Sequence, residues 1–241
     1  MFIKVLASGS SGNGYIIGND DKQIVIECGV PIIEVEKALD FDLSKVVGCI
    51  VSHEHQDHVG RGSEYVRRLP VYATEGTLRA AKLWEHQNAK QLHYQKLQKI
   101  GDFSVLPFKT EHDAEEPCGF IIKLPDGSKL LFATDTYYVH YKFKDVAHWL
   151  IECNYDGKIL SKNIENGLVH PKVADRVRKS HMSLSQCIET LQANDLSKTK
   201  EIILIHLSSQ NSIKQDFVKE ICKATGKYVT VAEKGLNIEL L

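Results

Sequence analysis

Residues 51–60 read VSHEHQDHVG and place His53, His55, Asp57 and His58 within six positions. The preceding run, VVGCIV, is short, apolar and rich in β-branched residues, so the motif begins where a strand ends. In extended backbone, side chains two residues apart share a face, which lets His53 and His55 grip one ion together. Asp57 and His58 follow after the chain has begun to turn, and they face a different direction. The spacing H-x-H-x-D-H therefore favours two neighbouring metal ions over one.

Two ions need more ligands than these four, and the missing ones should also sit at strand ends. His112 follows FSVLPFKTE, Asp135 follows KLLFAT, and His206 ends EIILIH. The expected ligand sets are His53, His55 and His112 on one ion, and Asp57, His58 and His206 on the other. Asp135 would join both through its two oxygens. Imidazole and carboxylate without thiolate suit zinc, with manganese or iron as alternatives. The expected cofactor is thus two divalent ions, zinc first and Mn²⁺ second. Such a pair, about 3.5–4 Å apart, brings a bridging water towards neutrality in pKa and offsets charge developing on a substrate oxygen. A phosphodiester or a similarly unreactive ester is the natural target. His86, His93, His140, His148 and His170 stand alone and read as core or surface residues.

The rest of the chain, 241 residues with 43% hydrophobic and 25% charged, has an ordinary globular composition. No Gly-, Ser- or Pro-rich linker divides it, and a single domain over residues 1–241 is expected. Short apolar strands (MFIKVLA, YIIGN, QIVIEC, VVGCIVS, VYAT, FSVLPF, GFIIKL, KLLFAT, EIILIH, YVTVAE, LNIELL) alternate with helices. Asn19-Asp20-Asp21 and Pro125-Asp126-Gly127 read as hairpin turns. Pro31 opens one helix, Thr74 caps a second over TEGTLRAAKLWEH, and Ser183 with Gln186 forms a capping box. Ser212 with Gln215 repeats that pattern before a helix that Gly226 ends. Two rounds of strands followed by helices point to an α/β fold with two sheets packed face to face and helices outside, an αββα sandwich. Residues 137–182 are the least regular part and read as an insertion over one edge.

The formal net charge of −1 gives no support for tracking long nucleic acids, which calls for a basic excess. A local run, Lys172, Arg176, Arg178 and Lys179, is either a phosphate patch or the solvated face of a helix. No apolar run approaches a spanning length and the N-terminal one is too short for a signal peptide, so a cytoplasmic location and no membrane partner are expected. Six cysteines without a C-x-x-C pair read as buried free thiols. SGSSGNG (residues 8–14) lacks the Gly-Lys-Ser/Thr of a phosphate-binding loop. Gly9, Gly12 and Gly14 read as a tight turn, with Ser10 and Ser11 the residues that could touch phosphate. Tyr137, Tyr138, Tyr141 and Tyr155 read as a lid or dimer contact, with ordinary surface packing the alternative for any one of them.

Taken together, VSHEHQDH, His112, Asp135 and His206 resemble the signature of the metallo-β-lactamase superfamily. The resemblance implies the αββα sandwich over nearly the whole chain. Asp135 in FATDT is similar to the hydrolase branches, where true lactamases place a cysteine nearby. LASGSSGN, IECNYD and RKSHMS resemble the YycJ/WalJ-like branch. The C-terminal portion is similar to small phage-type members, including the anti-Pycsar phosphodiesterases. That likeness implies a homodimer that hydrolyses 3′,5′-cyclic nucleotides, bacterial antiviral signals, to nucleoside monophosphates, in the host cytosol if the chain is phage-encoded. A further resemblance, to RNase Z, implies that His181 donates a proton to the leaving oxygen. Asp57 and His181 are accordingly the expected catalytic residues. The alternative is a YycJ-like or RNase Z-like nuclease acting on DNA or RNA. A purely structural metal role fits poorly, because structural zinc sites close four ligands around one ion. One departure stands out: Glu27-Cys28-Gly29 replaces the D-x-G of relatives, putting a longer acid where the histidine loop is supported.

Overall fold

The computed structural model describes residues 1–240 and resolves into two compact units. One comprises Met1–Lys109, Ala114–Lys129 and the chain from Ala232 onward; the other comprises Thr110–Asp113 and Leu130–Val231. The first carries β1 (Phe2–Ala7), β2 (Gly14–Gly18), β3 (Gln23–Ile26), α1 (Ile32–Ala38), β4 (Val46–Ile50), α2 (Gln56–Val59), α3 (Gly62–Tyr65), β5 (Val71–Ala73), α4 (Glu75–Ala80), β6 (Ala89–Gln91), β7 (Gln98–Ile100), β8 (Phe103–Lys109) and β9 (Cys118–Lys123). The second is built around β10 (Lys129–Ala133), β11 (His148–Glu152), α5 (Gly157–Glu165), α6 (Pro171–Ser180), α7 (Leu184–Gln192), β12 (Glu201–Ile205), α8 (Lys214–Thr225) and β13 (Tyr228–Val231). β14 (Asn237–Glu239) belongs to the first unit again. The expected strand LNIELL runs on to Leu241, which lies outside the described residues.

In the first unit, a mixed sheet runs in the order β14-β1-β2-β3-β4-β5-β6. It is antiparallel from β14 to β3 and parallel from β3 to β6. Ile16, Val25, Val35, Cys49, Val51 and Val71 form its core. The strands β7, β8 and β9 make an antiparallel meander. In the second unit β10, β11, β12 and β13 are parallel neighbours. Their residues are nearly all buried, which is why they read as continuous apolar runs rather than alternating ones. Parallel strands all end on one edge, so residues following β10, β11 and β12 collect there.

Several local signals act as the sequence predicts. The Asn19 side chain accepts the N–H groups of Asp21 and Lys22 and turns the β2–β3 hairpin. Thr74 caps α4, Ser183 and Gln186 form the capping box of α7, and Gly226 ends α8 in the left-handed conformation. All six cysteines are free, and burial pushes the thiols of Cys49, Cys118 and Cys153 far up, leaving them protonated and inert.

Four expectations are corrected. Ser212 does not cap α8: its hydroxyl donates to the Ser208 carbonyl (2.6 Å), and Ile213 occupies the cap position with no side-chain bond. Helix α4 stops at Ala80, and Lys82 then turns left-handed (φ 58°). Residues 137–182 are not an edge insertion. They contain β11, a buried strand between β10 and β12, and the helices α5 and α6. β11 escapes notice because its five residues begin with His148 and end with Glu152. His148 is buried against Glu201 at 2.9 Å, so polar ends interrupt an otherwise apolar run. Tyr155 is 5% exposed and packs with Leu160, Val169 and Ala174, so it is core rather than lid.

Candidate metal centre

The motif of residues 53–58 straddles the junction of β4 and α2. His53 lies among bends just past β4, His55 is the N-cap of α2, and Asp57 and His58 stand in its single turn. The predicted change of direction therefore falls between the two pairs. The His53 and His55 rings are 4.7 Å apart, and His58 comes within 4.1 Å of His53. Asp57 Oδ2 lies 3.3 Å from His58 Nε2.

Two buried polar residues hold this loop. The Glu27 carboxylate accepts the Ser52 N–H (3.3 Å) and sits 3.6 Å from His58 Nδ1, with both side chains fully buried. The longer acid thus still reaches the histidine loop. The second residue is Asn13, which closes the SGSSGNG turn. Its N–H donates to the Asp57 carbonyl (2.7 Å), its side-chain oxygen accepts from Gly9 N–H (2.9 Å), and its Nδ2 lies 3.1 Å from His58 Nε2. Gly9 and Gly12 have φ of 146° and 149°, which glycine adopts freely. Ser10 and Ser11 are exposed. The turn is structural, as read, but its working residue is Asn13, which nothing in the local pattern marks.

The second unit assembles the other predicted residues. His112, just past β8, donates from Nδ1 to the Ser180 carbonyl (2.9 Å). A carbonyl can only accept, so the proton is fixed on Nδ1 and Nε2 is left as the ligating atom. That Nε2 lies 3.6 Å from Asp135 Oδ2. Burial holds His112 below the usual imidazole range, with Asp135 and Glu152 opposing. His206, at the end of β12, has Nδ1 3.5 Å from Asp135 Oδ1. Asn154 Nδ2 donates to the His206 carbonyl (2.8 Å) and anchors it.

His181, the C-cap of α6, sits against Glu152, the last residue of β11, with Nδ1 2.7 Å from Oε1. The remaining Glu152 oxygen accepts from Thr136 N–H (2.9 Å) and Met182 N–H (3.2 Å). Burial alone would raise this acid, but His181 and His206 beside it outweigh that and hold it below the usual carboxylate range. Burial likewise lowers His181, and Glu152 outweighs it to raise the imidazole above its ordinary value. Each of Asp135, Glu152, His181 and His206 offers a ligand atom within 4.8 Å of the others. Both units therefore present imidazole and carboxylate groups able to bind metal ions.

A family model described as the beta-lactamase superfamily domain matches residues 23–207. The chain belongs to this superfamily. Its fold is accordingly the metallo-β-lactamase α/β sandwich, with two mixed sheets and helices. This superfamily member is 29% identical over 254 residues to exodeoxyribonuclease YycJ of Bacillus anthracis, across 99% of this chain and 92% of that protein. It is 28% identical over 232 residues to exodeoxyribonuclease WalJ of Streptococcus pneumoniae serotype 2, across 88% of this chain and 83% of that one. Among solved structures it is similar to the metallo-β-lactamase fold protein YhfI of Bacillus subtilis, with a TM-score of 0.72, 16% identity and 99% of each chain covered. The superfamily member has the metallohydrolase fold and relatives named as nucleases. No helix among the described residues is long and apolar enough to cross a membrane.

Glu152 and Asn154 were missed by sequence reasoning along with Asn13. The clue available was IECNYD, whose acid and amide alternate just past an apolar run; without the neighbouring strands it names no role.

Proposed function

We propose that this chain is a dinuclear-metal phosphodiesterase that hydrolyses 3′,5′-cyclic nucleotides to nucleoside monophosphates. His53, His55 and His112 would hold one ion, Asp57, His58 and His206 the other, and Asp135 both, with residues 1–241 acting as one domain. The donor set fits zinc or manganese: imidazoles and carboxylates without thiolate, with the His112 proton held on Nδ1 so that Nε2 is free to ligate. When bound, the ions supply Lewis-acid activation of water and of the phosphoryl oxygen. The chain itself supplies the rest. Asp57 and Asp135 contribute negative charge at the site, and His181 gives the leaving oxygen its proton from Nε2. Glu152 accepts from Nδ1, which orients the ring and keeps it protonated.

The observation that carries this reading is the His181–Glu152 pair beside Asp135 (His181 Nδ1 to Asp135 Oδ2, 3.9 Å), a proton donor set against a metal-capable carboxylate. A small, singly charged substrate is favoured by the basic run on α6. Arg176 is tied to Asp113 (3.1 Å) and Arg178 to Asp175 (3.2 Å), which offsets half of the run's four positive charges. In a host cell such an activity would counter cyclic-nucleotide antiviral signalling, and we take the working form to be a homodimer.

A second reading, cleavage of DNA or RNA phosphodiesters, is favoured by the two near-full-length relatives named as exodeoxyribonucleases. The deciding experiment incubates the Zn²⁺- or Mn²⁺-loaded protein, its mass checked by light scattering, with cyclic mononucleotides and with linear DNA and RNA. Nucleoside monophosphates from the cyclic substrates and intact polymer are expected. Shortened polymer with untouched cyclic nucleotide transfers the conclusion to the nuclease, and hydrolysis of neither sinks both.

A further inference from the structure

Beyond the metal ligands, the second unit contains a cavity of about 230 Å³ between the strap that follows Asp135 and the end of α7. Tyr138, His140 and Lys142 line it from the strap, and Glu189, Thr190 and Asn194 from the helix side. The walls are fixed by hydrogen bonds. Asn194 donates from Nδ2 to the Thr190 carbonyl (2.7 Å) and accepts the Phe143 N–H on Oδ1 (2.6 Å), which ties strap to helix. The Asn194 amide is thereby engaged at both ends. The Thr190 hydroxyl is not: it is buried, in a residue 5% exposed, and it has no hydrogen-bond partner. A buried hydroxyl left unpaired is a cost to folding, and natural structures keep such groups rare. Thr190 also lines the cavity, which is large enough to hold a group that would satisfy its hydroxyl.

The strap also carries rings. Tyr138 is 41% exposed, and its ring meets that of His140 edge-on at 4.8 Å. Its position is set from the metal side. The Thr136 hydroxyl donates to the Tyr138 carbonyl (2.7 Å) and accepts the Glu111 N–H (2.9 Å), while His140 Nε2 lies 3.5 Å from Glu111, the residue before His112. Along α7, the chain travels roughly 10 Å from Ser183, just past His181, to Thr190 at 1.5 Å per residue. A nucleoside unit spans that distance. The cavity is therefore within a nucleoside's length of a phosphodiester held at Asp135.

We propose that this cavity takes the nucleobase of the substrate, with the base against Tyr138 and His140 and its polar edge hydrogen-bonded to Thr190. The inference rests on the phosphodiesterase reading above. A hydroxyl both donates and accepts, so Thr190 suits the edge of any base, and stacking on an aromatic ring is equally tolerant.

The test compares kcat/KM for a cyclic nucleotide with kcat/KM for methyl 4-nitrophenyl phosphate, a base-free diester. The variants are Tyr138→Ala and Thr190→Val, each checked by thermal melting. The cyclic-to-base-free ratio should fall about tenfold for Tyr138→Ala, as loss of one stacking platform does, and about fivefold for Thr190→Val. The loss should lie in KM. Thr190→Val should melt no lower than the parent, since its hydroxyl bonds to nothing in the fold. Ratios within twofold of the parent, or a lower melting point for Thr190→Val, overturn the proposal. If the parent protein turns over no cyclic nucleotide, the phosphodiesterase reading has failed separately. Equilibrium dialysis with adenosine and cytidine then judges the cavity alone. Nucleoside binding that Tyr138→Ala weakens tenfold supports a base site, and no binding to the parent rejects it.

Discussion

Replacing Glu152 with Gln changes almost no volume and removes one charge, so it tests what the acid does for His181, with metal content reporting on its second neighbour, His206. The fully buried carboxylate accepts from His181 Nδ1 at 2.7 Å, Thr136 N–H at 2.9 Å and Met182 N–H at 3.2 Å, and His206 Nδ1 lies 3.4 Å from the oxygen that meets His181. An amide offers one oxygen. If that oxygen turns to His181, the two backbone donors face an NH₂ group; if it turns to them, the imidazole does. Either way a charge-assisted bond worth about 1.5–3 kcal/mol is lost. At about 1.4 kcal/mol per tenfold, kcat should fall roughly 10- to 100-fold. The assay is steady-state hydrolysis of bis(4-nitrophenyl) phosphate by metal-loaded protein, with zinc content measured on the same sample. Because Glu152 acts through His181, adding Glu152→Gln to His181→Ala should cost little more than His181→Ala alone. Turnover of Glu152→Gln within twofold of the parent would refute the positioning role. Loss of metal would instead make Glu152 a ligand, a role its place among Asp135, His181 and His206 allows.

Gly29→Ala should destabilise the fold by about 1–3 kcal/mol, read as a lower melting temperature, because the added Cβ would lie 1.8 Å from the Asp57 carbonyl oxygen and 2.7 Å from Asn13 N. Both are backbone atoms bonded to each other, so neither yields without moving the ligand loop. His53→Ala and Asp135→Ala should each reduce hydrolysis to background and lower bound metal while far-UV circular dichroism stays native; full turnover by either variant would overturn the ligand assignment.

Much of this molecule is legible in its sequence because strand ends and metal chemistry both leave local traces. VSHEHQDH follows an apolar strand, and α2 begins between its first two and its last two metal-capable residues. The capping box at Ser183 and the stop at Gly226 are equally local. What stayed hidden depends on neighbours distant in the chain. β11 is a strand because β10 and β12 flank it, and its His148 is tolerated because Glu201, on the adjacent strand, meets it. Asn13 matters through Asp57 and His58, some 45 residues away. Ser212 shows the opposite failure: a correct local pattern lost to a nearby carbonyl.

Backbone conformation adds a signal that no residue pattern carries. Among the described non-glycine residues with positive φ, Asp40, Phe41, Lys82, Gln95 and Asp145 are exposed, whereas Glu27 (66°), Asp135 (43°) and His206 (55°) are buried. Those three stand at the ends of β3, β10 and β12. A left-handed residue with a side chain costs of order 1–3 kcal/mol and persists only where its surroundings enforce it. The enforcement is visible: Glu27 N–H donates to the Ile50 carbonyl (2.9 Å), Thr134 Oγ1 donates to Asp135 Oδ1 (2.7 Å), and Asn154 grips the His206 carbonyl. Glycine at any of the three would relieve the strain and leave the strands intact. It would also delete the carboxylate that supports His58 or one of the groups gathered around Asp135. The fold alone gives no reason to hold two acids and an imidazole, buried and strained, at three strand ends. Metal binding would, since Asp135 and His206 belong to a group of side chains able to hold an ion, and Glu27 supports a histidine that could do the same.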